Sequence, residues 1–215
     1  MFEAFDGESN SSLKSVAERP ELAVHIGLII GMWAVVESQL SHLLSIILQS
    51  DAKIGATLFS VIKAESGRLA MIDAIADDRF TLEQKTEYEA LQKRVKSVGK
   101  YRDTIAHNIW GVSTTCPNSL ILFDARKSAR WMASFTSNLA DPLRHDKSLT
   151  ENQKSHRALI LHMTAEREYA NSAREYTEKE FLHIESEITQ LSFDLGQFAS
   201  KLHPPLHLQN GSGFV

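Results

Sequence analysis

Apolar residues recur every three or four positions along three long stretches of the chain, the spacing of helices that bury one face. The first runs through Leu22, Ile26, Ile29, Trp33, Val36, Leu40, Leu44 and Ile47 and predicts a helix from about 21 to 49. Pro20 stands where a first helical turn tolerates proline, and no other proline follows until Pro117. The second stretch, through Tyr88, Leu91, Val95, Val98, Ile105 and Ile109, ends near residue 108 or 109. Thr81 and Gln84 have the spacing of a capping box that would start it. The third, through Phe181, Ile184, Ile188, Leu191, Leu195 and Phe198, predicts a closing helix from about 177 to 202. Residues 51–78 read as one helix or a broken pair, with Ser66 and Gly67 as the break and Leu58, Phe59, Ile62, Leu69, Ile72 and Ile75 in the core.

After residue 109 the period changes. IWGVSTT and SLILFD flank the turn-forming CPNS and predict a β-hairpin over about 109–124, with Gly111 helping the chain leave the helix. Within the insertion at about 125–171, WMASFTSNL reads as a short helix, DPLRHDKS as a loop, and HRALILHM as helix or strand. Residues 1–19 are polar and Ser-rich, a mobile lead-in, and Pro204 and Pro205 begin a frayed tail over 204–215. The expected fold is all-α: an up-and-down bundle of four to five main helices with a small β-hairpin insertion, one domain over 20–203.

Composition narrows the function classes. Hydrophobic and charged shares of 43% and 23% suit an ordinary globule. One cysteine, Cys116, excludes an internal disulfide and a thiolate metal cluster, so a cytoplasmic location is expected. MFEAFDGESN lacks the basic start and apolar run of an export signal. His25, Glu37, Gln39 and His42 interrupt the first helix, leaving too short an uncharged run for a span of about 20 residues. A core helix is therefore expected there, and no membrane partner. Gly27 and Gly31, four apart on that helix, hint at close approach of another backbone, inside the bundle or in a dimer.

Charge is distributed unevenly. The chain carries a formal net charge of -4, yet Lys93, Arg94, Lys96, Lys100 and Arg102 follow one another without an acid between them. Such a patch suits an anion such as a nucleic-acid phosphate. Lys96, Lys100, Asp103 and His107, spaced by four, three and four, line one helical face. Arg102 falls on the apolar seam between Val98 and Ile105, where a charge is costly unless paired. Glu37 lies on the seam of the first helix, between Trp33 and Leu40, and is either a partner for Arg102 or an acid at the stripe's edge reaching water.

Arg102, Asp103 and His107 spell R-D-x-x-x-H within YRDTIAHNIW. In this motif, in its place at the end of a long helix, and in the aromatic and acid of WAVVESQL, the chain resembles the HEPN superfamily of helical bundles. The resemblance covers the helices from about Glu21 to Ile109 and the last one. It implies a metal-independent endoribonuclease, without cofactor, in which the ribose 2′-hydroxyl attacks the adjacent phosphorus. His107 would move the proton, Arg102 would hold phosphate oxygens, and Asp103 would orient His107 or bind ribose. Lys93, Lys96 and Lys100 would guide the RNA, with Glu37 in support. Residues five apart on a straight helix point about 140° from each other, so the resemblance further implies a homodimer with two motifs across a twofold axis. A toxin or phage-defence role, with a neutralising antitoxin, follows from the resemblance alone.

Two rivals have sequence support. The spacing of Glu180 and His183 is that of one half of a di-iron site, but no second E-x-x-H is present. A non-catalytic HEPN-like binding module would keep the same fold and motif without cleaving RNA.

Overall fold

The apolar periods, apart from Ile109, which opens a strand, lie on helices in the computed structural model, which describes residues 9–10, 15–135 and 148–202. Among these residues are seven α-helices: α1 (Pro20–Ile47), α2 (Ala52–Val61), α3 (Glu65–Arg79), α4 (Leu82–His107), α5 (Ala125–Phe135), α6 (Glu151–Ala170) and α7 (Glu178–Leu202). The count exceeds the expected four to five, because 51–78 makes two helices and the insertion contributes α5 and α6. An antiparallel sheet is ordered β1 (Ser9–Asn10), β2 (Ile109–Ser113), β3 (Ser119–Phe123) and β4 (Arg174–Thr177). The described residues fall into two compact units, one from Met1–Gly27 and Asp103–His183, the other from Leu28–Arg102 and Ile184–Val215.

The first unit holds the sheet. β2 and β3 are the expected hairpin, in register Ile109↔Phe123, Trp110↔Leu122 and Gly111↔Ile121. Every residue of β3 is buried, which is why SLILF is nearly continuously apolar rather than alternating. β4 pairs with its other edge, Leu120↔Tyr176 and Ile121↔Glu175. Around this sheet Trp131 stacks on Tyr169 at 4.9 Å, Tyr169 on Phe123 at 4.8 Å, and Trp110 meets Tyr176 edge-on at 5.4 Å. HRALILHM is helical, within α6, whose Leu159, Ile160, Leu161 and Met163 are exposed. Ser9–Asn10 pairs with β2, and Ser15–Glu18 forms a 3-10 turn; residues 1–8 and 11–14 of the lead-in lie outside the described residues, as do most of DPLRHDKS and the tail from 203.

The second unit is helical, and its core is the predicted seams. Ile29, Trp33, Val36, Leu40, Leu44 and Ile47 of α1 are buried with Leu91, Val95 and Val98 of α4 and Ile188, Leu191, Leu195 and Phe198 of α7. Each such side chain contributes about 1.5–3 kcal/mol on burial. α1 ends with Gln49 in the left-handed region (φ 51), where Ser50 N–H bonds Ser45 C=O and Gln49 N–H bonds Ile46 C=O, the pattern of a Schellman cap. The break between α2 and α3 lies at Ile62–Ala64, earlier than Ser66 and Gly67, which sit in the first turn of α3. Gly67 is bare for a packing reason: a Cβ there would lie 2.9 Å from Ile62 Cγ2. Leu58, expected in the core, is 41% exposed.

One face of α1 departs from the expected core helix. Val24, Leu28, Ile30 and Val35 are 43–55% exposed, and a Cβ added at Gly27 or Gly31 would meet nothing within 4 Å. Packing of another segment against these glycines is therefore absent among the described residues. By length and composition α1 passes as a membrane-crossing helix, with a mean hydropathy of 1.5 over 18 residues of which 28% are buried. Its buried seam accounts for one side of that apolarity, and the other side lies open.

Candidate functional site

α4 carries the sequence motif and is fixed at both ends. At its start Thr81 N–H donates to Gln84 Oε1 at 2.9 Å and Gln84 N–H to Thr81 Oγ1 at 3.3 Å, the reciprocal pair expected of a capping box. Past its end, Asn108 Nδ2 donates to Thr104 C=O at 3.0 Å while Asn108 Oδ1 accepts from Ala125 N–H at 3.1 Å. Trp110 Nε1 donates to Ile105 C=O at 3.2 Å. These bonds satisfy carbonyls that a helix end leaves open, and they hold the last turn where the chain swings into β2.

On α4 the candidate residues divide between two kinds of surroundings. Lys93, Lys96, Lys100, Asp103 and His107 are exposed, and the helix stays regular through His107, so Lys96, Lys100, Asp103 and His107 form the expected stripe. The three lysines form no salt bridge among the described residues. Their charge is therefore turned to solvent and accessible to an anion.

The two arginines are built in. Arg94 Nη1 lies 2.5 Å from Asp194 Oδ2 on α7, and its hydrogen bond, aided by one from Gln190, holds the Asp194 carboxyl below its usual range against the opposing effect of burial. Arg94 thus drops out of the phosphate-facing set. Arg102 is half-buried, with its guanidinium carbon 6.0 Å from the centroid of the Trp33 ring. An indole face attracts a guanidinium, by about 0.5–2 kcal/mol depending on desolvation, which offsets part of the cost of a cation on the apolar seam. Sequence periodicity places Arg102 on the seam, whereas nothing in the spacing pairs it with Trp33 of α1.

Glu37, expected in support, pairs with Arg68 of α3 at 2.6 Å, and Arg68 Nε also donates to Ile62 C=O at 2.7 Å. The acid on the seam of α1 is thus engaged by α3. Glu180 serves as a helix cap: its Oε2 accepts from Thr177 N–H at 2.6 Å and from Thr177 Oγ1 at 2.5 Å. Its carboxylate is committed to starting α7, and the described residues contain no group of three or more His, Cys, Asp or Glu arranged to hold a metal ion.

A groove of about 1060 Å³ lies elsewhere in the second unit, lined by Met32, Val35, Gln39, Ile188, Phe193 and Gly196 among others. None of the motif residues lines it. Comparison with family models, with curated proteins and with solved structures gave no match.

Proposed function

We propose that the protein is a metal-independent endoribonuclease whose RNA-facing surface is the stripe of α4 ending in His107. The observation that supports this most is the solvent-exposed alignment of Lys96, Lys100, Asp103 and His107 on one regular helix, with the lysine charges uncompensated by salt bridges among the described residues. The spacing of the stripe lets lysines follow an RNA backbone into the neighbourhood of an imidazole, and Lys93 extends the same positive field.

In the proposed reaction His107 accepts the proton of a ribose 2′-hydroxyl, and that oxygen forms a bond to the adjacent phosphorus. The bond from phosphorus to the 5′-oxygen breaks, that oxygen leaves as a hydroxyl after taking up a proton, and a 2′,3′-cyclic phosphate remains. Asp103, one turn before His107, orients the imidazole or takes a ribose hydroxyl. Arg102 stabilises the charge that gathers on the phosphoryl oxygens. Since α4 is unbroken from Arg102 to His107, these two side chains leave the helix about 140° apart. The reading therefore requires a homodimer, in which the arginine of one copy and the histidine of another share a groove. The toxin or phage-defence setting, the antitoxin and the cytoplasmic location belong to the same proposal.

A binding module is the second reading, favoured by the Trp33 contact, which gives Arg102 a structural occupation independent of any substrate. Incubating a mixed RNA pool with the protein in the presence of a chelator separates the two. The nuclease reading expects cleavage with cyclic-phosphate ends and a loss of about 100-fold or more in His107→Ala. Binding of RNA without cleavage by the folded wild type supports the module instead.

A further inference from the structure

Gly99 lies on the seam of α4 one turn before Arg102, at a buried position where a glycine costs about 1 kcal/mol relative to alanine. Its reason is steric. A Cβ there would stand 3.1 Å from Glu65 Oε1, 3.1 Å from Trp33 Cη2 and 3.3 Å from Trp33 Cζ2. The carboxylate at the first position of α3 and the edge of the Trp33 ring therefore meet over the bare backbone of α4. Arg102, three residues on and hence on the same side of the helix, holds its guanidinium over that same ring.

The neighbouring turns repeat the theme with charges exchanged. Arg68, three residues after Glu65 on α3, pairs with Glu37, which is four after Trp33 on α1. Arg68 also lies over the Phe59 ring, its guanidinium carbon 4.8 Å from the centroid, and Arg102, Glu65, Arg68 and Glu37 all belong to the second compact unit. In the Glu37–Arg68 pair a cation and an acid restrict each other's rotamers beside the place where Glu65 approaches Trp33.

We propose that Glu65 is the positioning residue of Arg102: its carboxylate grips one edge of the guanidinium and pins the plane against Trp33. A guanidinium has five N–H donors in a rigid fork, so a carboxylate on one edge leaves the others directed outward for phosphate oxygens. An arginine fixed beforehand loses less side-chain entropy when it meets the phosphate. This role rests on the nuclease reading, whereas the pairing itself does not.

The test combines a double-mutant cycle with kinetics in the full chain. Glu65→Gln and Arg102→Gln, alone and together, are compared by urea unfolding midpoint, and RNA cleavage is followed for wild type, Glu65→Gln and Glu65→Asp. Pairing predicts that the double variant loses no more than the worse single, whereas additive losses overturn it. Positioning predicts about a tenfold lower kcat in Glu65→Gln with KM changed by less than about twofold, and partial recovery in Glu65→Asp. Coupling in the cycle with wild-type kcat in Glu65→Gln overturns the positioning role. A wild type that cleaves no RNA overturns that role together with the nuclease reading, and the cycle still decides the pairing.

Discussion

Two faces of α4 show how one helix supplies both a packed face and a solvent-facing one. On one face Tyr88 Oη donates to Asp73 Oδ1 at 2.7 Å, Arg94 pairs with Asp194, and Arg102 covers Trp33. On the other, Lys96, Lys100, Asp103 and His107 face solvent. The difference teaches that a run of basic residues is not one functional unit. Its arginines sit where a delocalised, weakly hydrated cation can be half-buried, and its lysines sit where a strongly hydrated ammonium keeps its water. Of the R-D-x-x-x-H motif, the arginine belongs to the first face and the histidine to the second.

The largest break in this contrast comes from removing the floor. Trp33 is 1% exposed, so Trp33→Ala should cost about 3–5 kcal/mol of stability in urea unfolding, the usual penalty for emptying an aromatic site in a core. A loss under about 1 kcal/mol would mean that the indole is dispensable beneath Arg102.

Tyr88→Phe is the next in size. Burial, then the bond and charge of Asp73, push the Tyr88 hydroxyl well above its ordinary value. Its neutral form is thus favoured by folding, so its contribution is complete below the unfolded value near pH 10 and is lost as pH rises beyond it. The variant should be about 1 kcal/mol less stable at neutral pH. It should also lack the part of the alkaline decline that Tyr88 causes, as measured by unfolding at pH 7 and pH 11.

Asp194→Asn probes the Arg94 pair, which is only partly screened from water. A carboxyl held below its usual range stabilises the fold above its unfolded value near pH 4 and stops doing so as pH falls through the lowered one. The expected loss is at most about 1 kcal/mol at pH 7, shrinking as the solution is acidified, and a difference that grew in acid would reverse the sign of this assignment.

Helix periodicity made the packed face legible in the sequence and left the rest dim. The seams of α1, α4 and α7 repeat through several turns, and nearly all of their named apolar residues are buried. HRALILHM, within α6, reads as helix or strand from sequence because Leu159, Ile160, Leu161 and Met163 are clustered and exposed, so they carry no period tied to a core. β4, with REYT, is too short and too polar to stand out, and the end of α1 uses Gln49 where a glycine would have announced the turn. At the candidate site, the misplaced charge of Arg102 was visible from spacing alone. The contribution of Glu65 was not, since it depends on a contact between helices more than thirty residues apart in sequence, marked only by the bare position at Gly99.

The measurement that tests the two-faced helix most directly is a pair of urea unfolding curves, for Arg102→Ala and His107→Ala. Arg102→Ala should lose about 1–2 kcal/mol through its Trp33 contact, and His107→Ala should stay within about 0.5 kcal/mol of wild type, as an exposed substitution does. Equal losses, or a larger one for His107→Ala, would contradict the division of the motif into a built-in arginine and a solvent-facing histidine.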